Sequence, residues 1–233
     1  MKLKKIASLM LAGIMAVSML AACGNKTPDP NPGEGEGEGT QTSGYSSVFG
    51  EAVSDTVKDM DYVTFQDNAA DQAALNKSVN FLSGPSIQDV ANNQRIATLV
   101  DVDNHIGTTW PEDWMKMAKT LQSELKMNNK NMSDWDMAFE WFTNDKNNMV
   151  NEDAKCAVLY AVNGAVGTDE AVQTVAELLD ELNKLVDEAE ANGTKWHYEY
   201  VVSVSVAEKS YNDSTAKFVM VTVDRTVTNM AHA

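Results

Sequence analysis

Alternating apolar and polar residues dominate the C-terminal third of the chain. From Trp196 to Val206, aromatic and aliphatic residues occupy every second position, and a similar run covers Phe218–Val227. This period of two is typical of strands. The intervening Tyr211-Asn212-Asp213-Ser214 carries turn-forming residues, so the two runs predict an antiparallel hairpin. Ile96–Val102 is a candidate third strand.

Apolar residues upstream recur instead at spacings of three and four, which is typical of amphipathic helices. Thr109-Trp110-Pro111-Glu112 resembles a capping box, and it predicts a helix over Trp110–Met127. The same spacing predicts the longest helix over Thr168–Ala191, where Asn192-Gly193 supplies a stop signal.

Shorter helices are predicted where capping residues precede an apolar run. These are Ser133–Phe142 and Asn151–Gly164. Tyr45–Ser86 reads as mostly helical, with Gly84-Pro85 as a break. The predicted fold class is therefore α+β: a helical bundle-like region is followed by a C-terminal antiparallel β-hairpin or small sheet, packed on a long amphipathic helix.

The N-terminus has a different pattern from the rest of the chain. Lys2, Lys4 and Lys5 precede an apolar run over Ile6–Leu20. This combination is typical of a secretory signal peptide, and the run is short for a membrane-spanning helix, which needs about 20 apolar residues.

The run ends in Leu20-Ala21-Ala22-Cys23, which resembles the lipobox of bacterial lipoproteins. The resemblance implies that residues 1–22 are a lipoprotein signal peptide, that cleavage occurs before Cys23, and that the Cys23 thiol carries lipid. It also implies a protein anchored at the extracytoplasmic face of the cell membrane. A secretory signal with a chance cysteine is the alternative.

A spacer follows the predicted anchor. Residues 23–44 are rich in Gly, Pro and Glu and contain no aromatic or aliphatic residue. Such a composition cannot bury enough apolar surface to order itself, so we expect a disordered acidic linker. Residues 45–233 remain as a single extracytoplasmic α+β domain, and their length suits one hydrophobic core.

Charge restricts the partners of this domain. Removal of residues 1–22 takes away three lysines and no acid, which leaves 15 basic and 34 acidic residues. No cluster of Lys and Arg is present to contact phosphates, so we expect no nucleic-acid partner. The expected partners are the membrane, through the lipid on Cys23, and a protein or cell-wall component.

The sequence offers little support for cofactor or metal chemistry. Cys156 is the only cysteine besides Cys23, and its apolar neighbours predict a buried helical thiol. The three histidines, His105, His197 and His232, are far apart. We expect no cofactor, no metal and no intramolecular disulfide.

No nucleophile elbow, phosphate loop, dinucleotide fingerprint or metalloprotease helix occurs in the sequence. We therefore expect a small binding or interaction module of unknown ligand rather than an enzyme. The alternative is an enzyme acting on cell-wall glycan or peptide.

A candidate binding face lies within the predicted Ser133–Phe142 helix. Met137 and Trp141 are four residues apart, on a different side from the apolar residues that suit a core. A surplus Met–Trp pair suggests an adaptable contact surface for a ligand or partner. The alternative is a helix that is buried on all sides.

Overall fold

The computed structural model describes residues 44–92, 97–98, 111–126, 151–191 and 193–230, which all belong to the compact unit Gly39–Ala233. Within these described residues, the α-helices are α1 (Tyr45–Ala52), α2 (Asp55–Lys58), α3 (Ala69–Val79), α4 (Gly84–Asn92), α5 (Glu112–Leu125) and α6 (Thr168–Leu178). The strands are β1 (Val63–Phe65), β2 (Ala97–Thr98), β3 (Ala154–Asn163), β4 (Glu188–Ala191), β5 (Thr194–Tyr211) and β6 (Ser214–Asn229).

The strands form one mixed sheet in the order β1-β5-β6-β3-β2, with β4 also pairing with β5. β1 runs parallel to β5, and the other pairs are antiparallel. Helix and sheet together confirm the α+β class. The finer expectation of a bundle-like helical region is not confirmed, because α3 and α4 pack directly against strands of the sheet.

The predicted C-terminal hairpin is confirmed, and it forms the centre of the sheet. β5 and β6 pair antiparallel from Tyr211 and Ser214 at the turn to Trp196 and Asn229 at the far end. Asn212 adopts the left-handed conformation with φ of 53°, which Asn tolerates better than most residues.

Helices cover both faces of the sheet. Asp71 of α3 bonds to the side chains of Ser203 and Thr222, which places α3 on their face. Tyr200 and Lys217 project from the opposite face, and they bond to the carbonyls of Val186 and Val166, which flank α6. The sheet is therefore the middle of three layers, and its central strands are buried on both sides.

Several short segments share the outer edge of β5. β4 pairs with Thr194–His197, and β1 pairs with Tyr200–Val202. Beyond β1, side chains replace a strand: Ser46 Oγ accepts from the Val204 amide at 2.8 Å, and Gln72 Oε1 accepts from the Val206 amide at 3.1 Å. These contacts supply hydrogen-bond partners for backbone amides at the edge of β5, which would otherwise be free to pair with another chain.

The helix predicted over Trp110–Met127 is confirmed over Glu112–Leu125 as α5, but it begins later than predicted, because its N-cap residue is Pro111 and no side chain of the described residues caps it. Five apolar residues at helical spacing in α5 are buried, and they are Trp114, Met117, Ala118, Leu121 and Leu125. The Trp114 ring meets the Phe218 ring of β6 edge-on, with 6.2 Å between the ring centroids. Lys126 ends the helix in the left-handed conformation.

The prediction of a helix over Asn151–Gly164 is wrong, because this segment contains β3. Ala154–Val162 is apolar at nearly every position, and periodicity alone does not distinguish a short buried helix from a strand buried on both faces. Cys156 is buried as expected, but it lies in a strand rather than in a helix.

The predicted long helix is also wrong in extent. α6 ends at Leu178, and a 3-10 helix over Asp180–Lys184 and strand β4 follow it. Leu179 and Leu182 are buried although the α-helix has ended. The burial that the apolar spacing predicted is therefore kept without a continuous α-helix. The hairpin is therefore not packed on a long amphipathic helix. The helical part of this segment spans only Thr168–Leu178, and it contacts both β6 and α1.

The predictions for the N-terminal part of the domain are partly confirmed. The segment Tyr45–Ser86 is mostly helical, but it also contains β1. Gly84-Pro85 opens α4, which agrees with a break between two helices. β2 covers only Ala97–Thr98 of the candidate third strand, and the remainder of that prediction falls outside the described residues.

Candidate functional site

The residues nominated from the sequence lie outside the part of the chain that the structure describes. Cys23 falls within residues 1–43, and Met137 and Trp141 fall within residues 127–150. The predicted lipid site, the predicted Ser133–Phe142 helix and its binding face therefore remain predictions. The described residues form a polar pocket that sequence reasoning missed.

This pocket lies between the sheet and the C-terminal end of α5. It has a volume of about 350 Å³. The lining residues come from the end of α5, the start of β3 and the late part of β6: Leu125, Lys126, Asp153, Ala154, Lys155, Asp224, Arg225 and Thr226. Small-molecule pockets in proteins are commonly of this volume or larger.

A network of polar side chains supports the pocket from inside the protein. Lys155 Nζ lies 2.6 Å from Asp71 Oδ1, and the Lys155 side chain is 15% exposed while that of Asp71 is 3% exposed. The other oxygen of Asp71 accepts from Ser203 Oγ at 2.9 Å and from Thr222 Oγ1 at 2.6 Å. The buried Asp71 carboxylate is thus compensated by one ammonium and two hydroxyl groups, as a buried charge requires.

Local sequence places Asp71 at the start of α3. The Asn68 side chain caps the helix by accepting from the amides of Ala70 and Asp71 at 3.0 and 3.3 Å. Asp71 consequently lies in the first turn, where the helix dipole favours a negative charge. The carboxylate reaches across to β3, β5 and β6, so one side chain joins α3 to three strands.

Asp224 forms the outer part of the same network. Lys155 and Asp224 are register partners on β3 and β6, and Lys155 Nζ lies 3.1 Å from Asp224 Oδ2. The Asp224 side chain is 38% exposed, in contrast to Asp71. Desolvation by burial raises the pKa of Asp224 from its usual 3.8, and the neighbouring Lys155 only partly opposes that effect.

Two other charged residues at the pocket are held by contacts with the backbone. Asp153 Oδ1 accepts from the Val227 amide at 2.8 Å. Arg225 is buried, its guanidinium lies 4.8 Å from the centroid of the Tyr198 ring, and its Nη2 donates to the Glu152 carbonyl at 3.0 Å. Arg225 therefore stabilises the sheet with its side chain directed away from Lys155 and Asp224.

The geometry suits binding better than nucleophilic catalysis. The Ser203 and Thr222 hydroxyls are buried and donate to the Asp71 carboxylate, so neither is placed to attack a substrate in the pocket. Lys155 is an ammonium between two carboxylates, and an ammonium donates hydrogen bonds without offering a lone pair. Charged groups that face an open pocket can nevertheless orient a polar ligand.

Among the described ranges, no group of three or more His, Cys, Asp or Glu residues is arranged to hold a metal ion. Burial raises the pKa of the Cys156 thiol well above its usual value, which suits a structural cysteine. Within those same ranges, none of the helices has the length and apolar character needed to cross a membrane.

Sequence reasoning missed this pocket because its members are far apart in the chain. Asp71 and Lys155 are separated by 84 residues. One available signal was Lys155 itself, since a lysine within the apolar run Ala154–Val162 needs an anionic partner once that run is buried. The sequence did not identify which carboxylate supplies that charge.

Comparison with known proteins identifies no relative for this chain. No protein-family model matches it, no curated protein matches it significantly in sequence, and no solved structure matches it significantly.

Proposed function

We propose that the chain is the precursor of a bacterial lipoprotein whose domain acts as a small binding module at the extracytoplasmic face of the cell membrane. The observation that carries the anchoring is Leu20-Ala21-Ala22-Cys23, placed after a basic start and an apolar run. Lipid on Cys23 would hold the protein at the membrane, because an acidic chain is repelled by anionic lipid surfaces.

The polar pocket beside Lys155 and Asp224 supports a binding role. It is open and presents charges of both signs, and the hydroxyl groups of Ser203 and Thr222 in the network beneath it are buried. The partners that we propose are the membrane through Cys23 and a cell-wall component or protein. The acidic balance of the chain, with 34 acidic against 18 basic residues, argues against nucleic acid.

Met137 and Trp141 remain a predicted contact surface. In the sequence, both residues fall between Lys126 and Asp153, which line the pocket. Trp141→Ala is expected to weaken binding to a wall or protein partner.

Anchoring is tested by labelling cells that express the chain with radioactive palmitate. Cys23→Ser should abolish the label, because Cys23 supplies the thiol. Cys156→Ala is the matched control, since it removes the other cysteine and should leave labelling unchanged. Equal labelling of wild type and Cys23→Ser would refute the lipoprotein proposal.

The binding role is tested against the alternative of an enzyme acting on cell-wall glycan or peptide. Purified wall material is incubated with the protein, and both retained protein and released soluble fragments are measured. Saturable retention without release is the expected result. Release of sugars or peptides that grows with time would replace the binding role with an enzymatic one.

A further inference from the structure

Most charged groups at the pocket already have partners. Lys155 contacts Asp71 and Asp224, Asp153 accepts from the Val227 amide, and Arg225 donates to the Glu152 carbonyl. A ligand that bound to these groups would have to replace contacts that exist in the folded protein. The charged groups without such a partner therefore indicate which charges a ligand should carry.

Two groups of opposite sign remain available. Oδ1 of Asp224 has no hydrogen-bond partner in the described ranges, and its Oδ2 contact with Lys155, at 3.1 Å, is longer than the 2.6 Å contact between Lys155 and Asp71. The Lys126 side chain is exposed and forms no ion pair within those ranges. The pocket thus offers one anionic acceptor and one cationic donor.

A ligand with a single sign of charge satisfies only one of these two groups. An anion in the pocket would be repelled by the carboxylates of Asp224 and Asp153. A cation would be repelled by the ammonium groups of Lys126 and Lys155. Like charges brought close together oppose binding, and opposite charges favour it. A ligand with one ammonium and one carboxylate complements both available groups.

We infer that the pocket binds a small zwitterion, namely a free amino acid or the unblocked form of a short peptide, with its ammonium at Asp224 and its carboxylate at Lys126. The inference rests on the proposed binding function and names its ligand class. The volume of about 350 Å³ is sufficient for a dipeptide. Burial raises the pKa of Asp224, and an ammonium beside the carboxylate would compensate the charge that burial disfavours.

Equilibrium dialysis of the processed chain, purified from membranes in detergent, tests the inference with radiolabelled L-alanyl-L-alanine. Saturable binding is expected. N-acetylation or C-terminal amidation of the dipeptide should each weaken binding by about tenfold or more, because each removes one charge-assisted contact. Asp224→Asn and Lys126→Gln should weaken binding of the unblocked dipeptide to a similar extent.

Matched controls lie at exposed positions away from the pocket. Asp213→Asn is at the hairpin turn, roughly 35 Å along β6 from Asp224, and Lys119→Gln is on α5 about two turns from Lys126. Both should bind the dipeptide like wild type. Wild-type affinity in Asp224→Asn and Lys126→Gln would overturn the inference, as would equal binding of the blocked dipeptides.

Two further outcomes separate this inference from the proposed function. Absence of saturable dipeptide binding overturns the zwitterion inference, while the wall-retention experiment still decides the binding role. Hydrolysis of the dipeptide, detected as free alanine, would support a zwitterion site and refute a binding module without turnover.

Discussion

Asp71 and Asp224 contact the same ammonium group, that of Lys155, in different surroundings. Asp71 is 3% exposed and is bonded to Lys155, Ser203 and Thr222. Asp224 is 38% exposed, and in the described ranges only Lys155 is bonded to its carboxylate. A carboxylate surrounded by donors inside the protein stabilises the fold, whereas one with an available oxygen at a pocket can take part in recognition.

The largest expected effect belongs to the inner carboxylate. Asp71→Ala removes the acceptor of three side chains, and Lys155 keeps only Asp224. Breaking a buried ion pair in this way should lower the free energy of unfolding by about 3 to 5 kcal/mol, measured by urea denaturation. Asp61→Ala, at an exposed position, is the control and should change stability by less than about 0.5 kcal/mol.

If Asp71→Ala does not fold, Asp71→Asn provides the comparison, because it keeps the shape and one acceptor oxygen. That variant should fold with reduced stability. A value within about 0.5 kcal/mol of wild type for either variant would show that the inner network contributes little to the fold.

A smaller effect is expected from the pH dependence of the outer carboxylate. Desolvation raises the pKa of Asp224, so the folded protein retains this proton at pH values where the unfolded chain has lost it. Ionisation of Asp224 therefore opposes folding, and its contribution to the free energy of unfolding falls as pH rises through the raised pKa.

Urea denaturation of wild type and Asp224→Asn between pH 7 and pH 4 measures this contribution. As pH falls through the raised pKa toward 3.8, wild type should gain stability relative to Asp224→Asn, which cannot be protonated at this position. A relative loss of stability in wild type over the same range would contradict the raised pKa.

The sequence predicted secondary structure correctly where its apolar spacing matched the residues that are buried in the structure. The β5–β6 hairpin was predicted because apolar alternation and an Asn-Asp turn coincide. α5 was predicted because its apolar residues repeat at helical spacing, and its observed C-cap, Lys126, is next to the predicted end at Met127. In both elements the local pattern and the tertiary contacts favour the same structure.

Secondary structure was predicted wrongly in two kinds of segment. One is a strand that is buried on both faces, and the other is a segment in which the backbone conformation changes while the apolar spacing continues. β3 is apolar on both sides, so its sequence does not carry the alternation of a half-buried strand. After Leu178 the helical spacing continues through Leu182 while the backbone becomes a 3-10 helix. The pocket was missed because long-range pairing, which brings Asp71 to Lys155, leaves no periodic signal.

Asp71 maintains the fold, whereas Asp224 serves the pocket. The most direct test measures the free energy of unfolding and the affinity for L-alanyl-L-alanine on the same preparation of Asp224→Asn. The predicted result is stability within about 1 kcal/mol of wild type together with a loss of affinity of about tenfold or more. Wild-type affinity accompanied by a loss of stability as large as that of Asp71→Ala would contradict the claim, because Asp224 would then be a second structural residue.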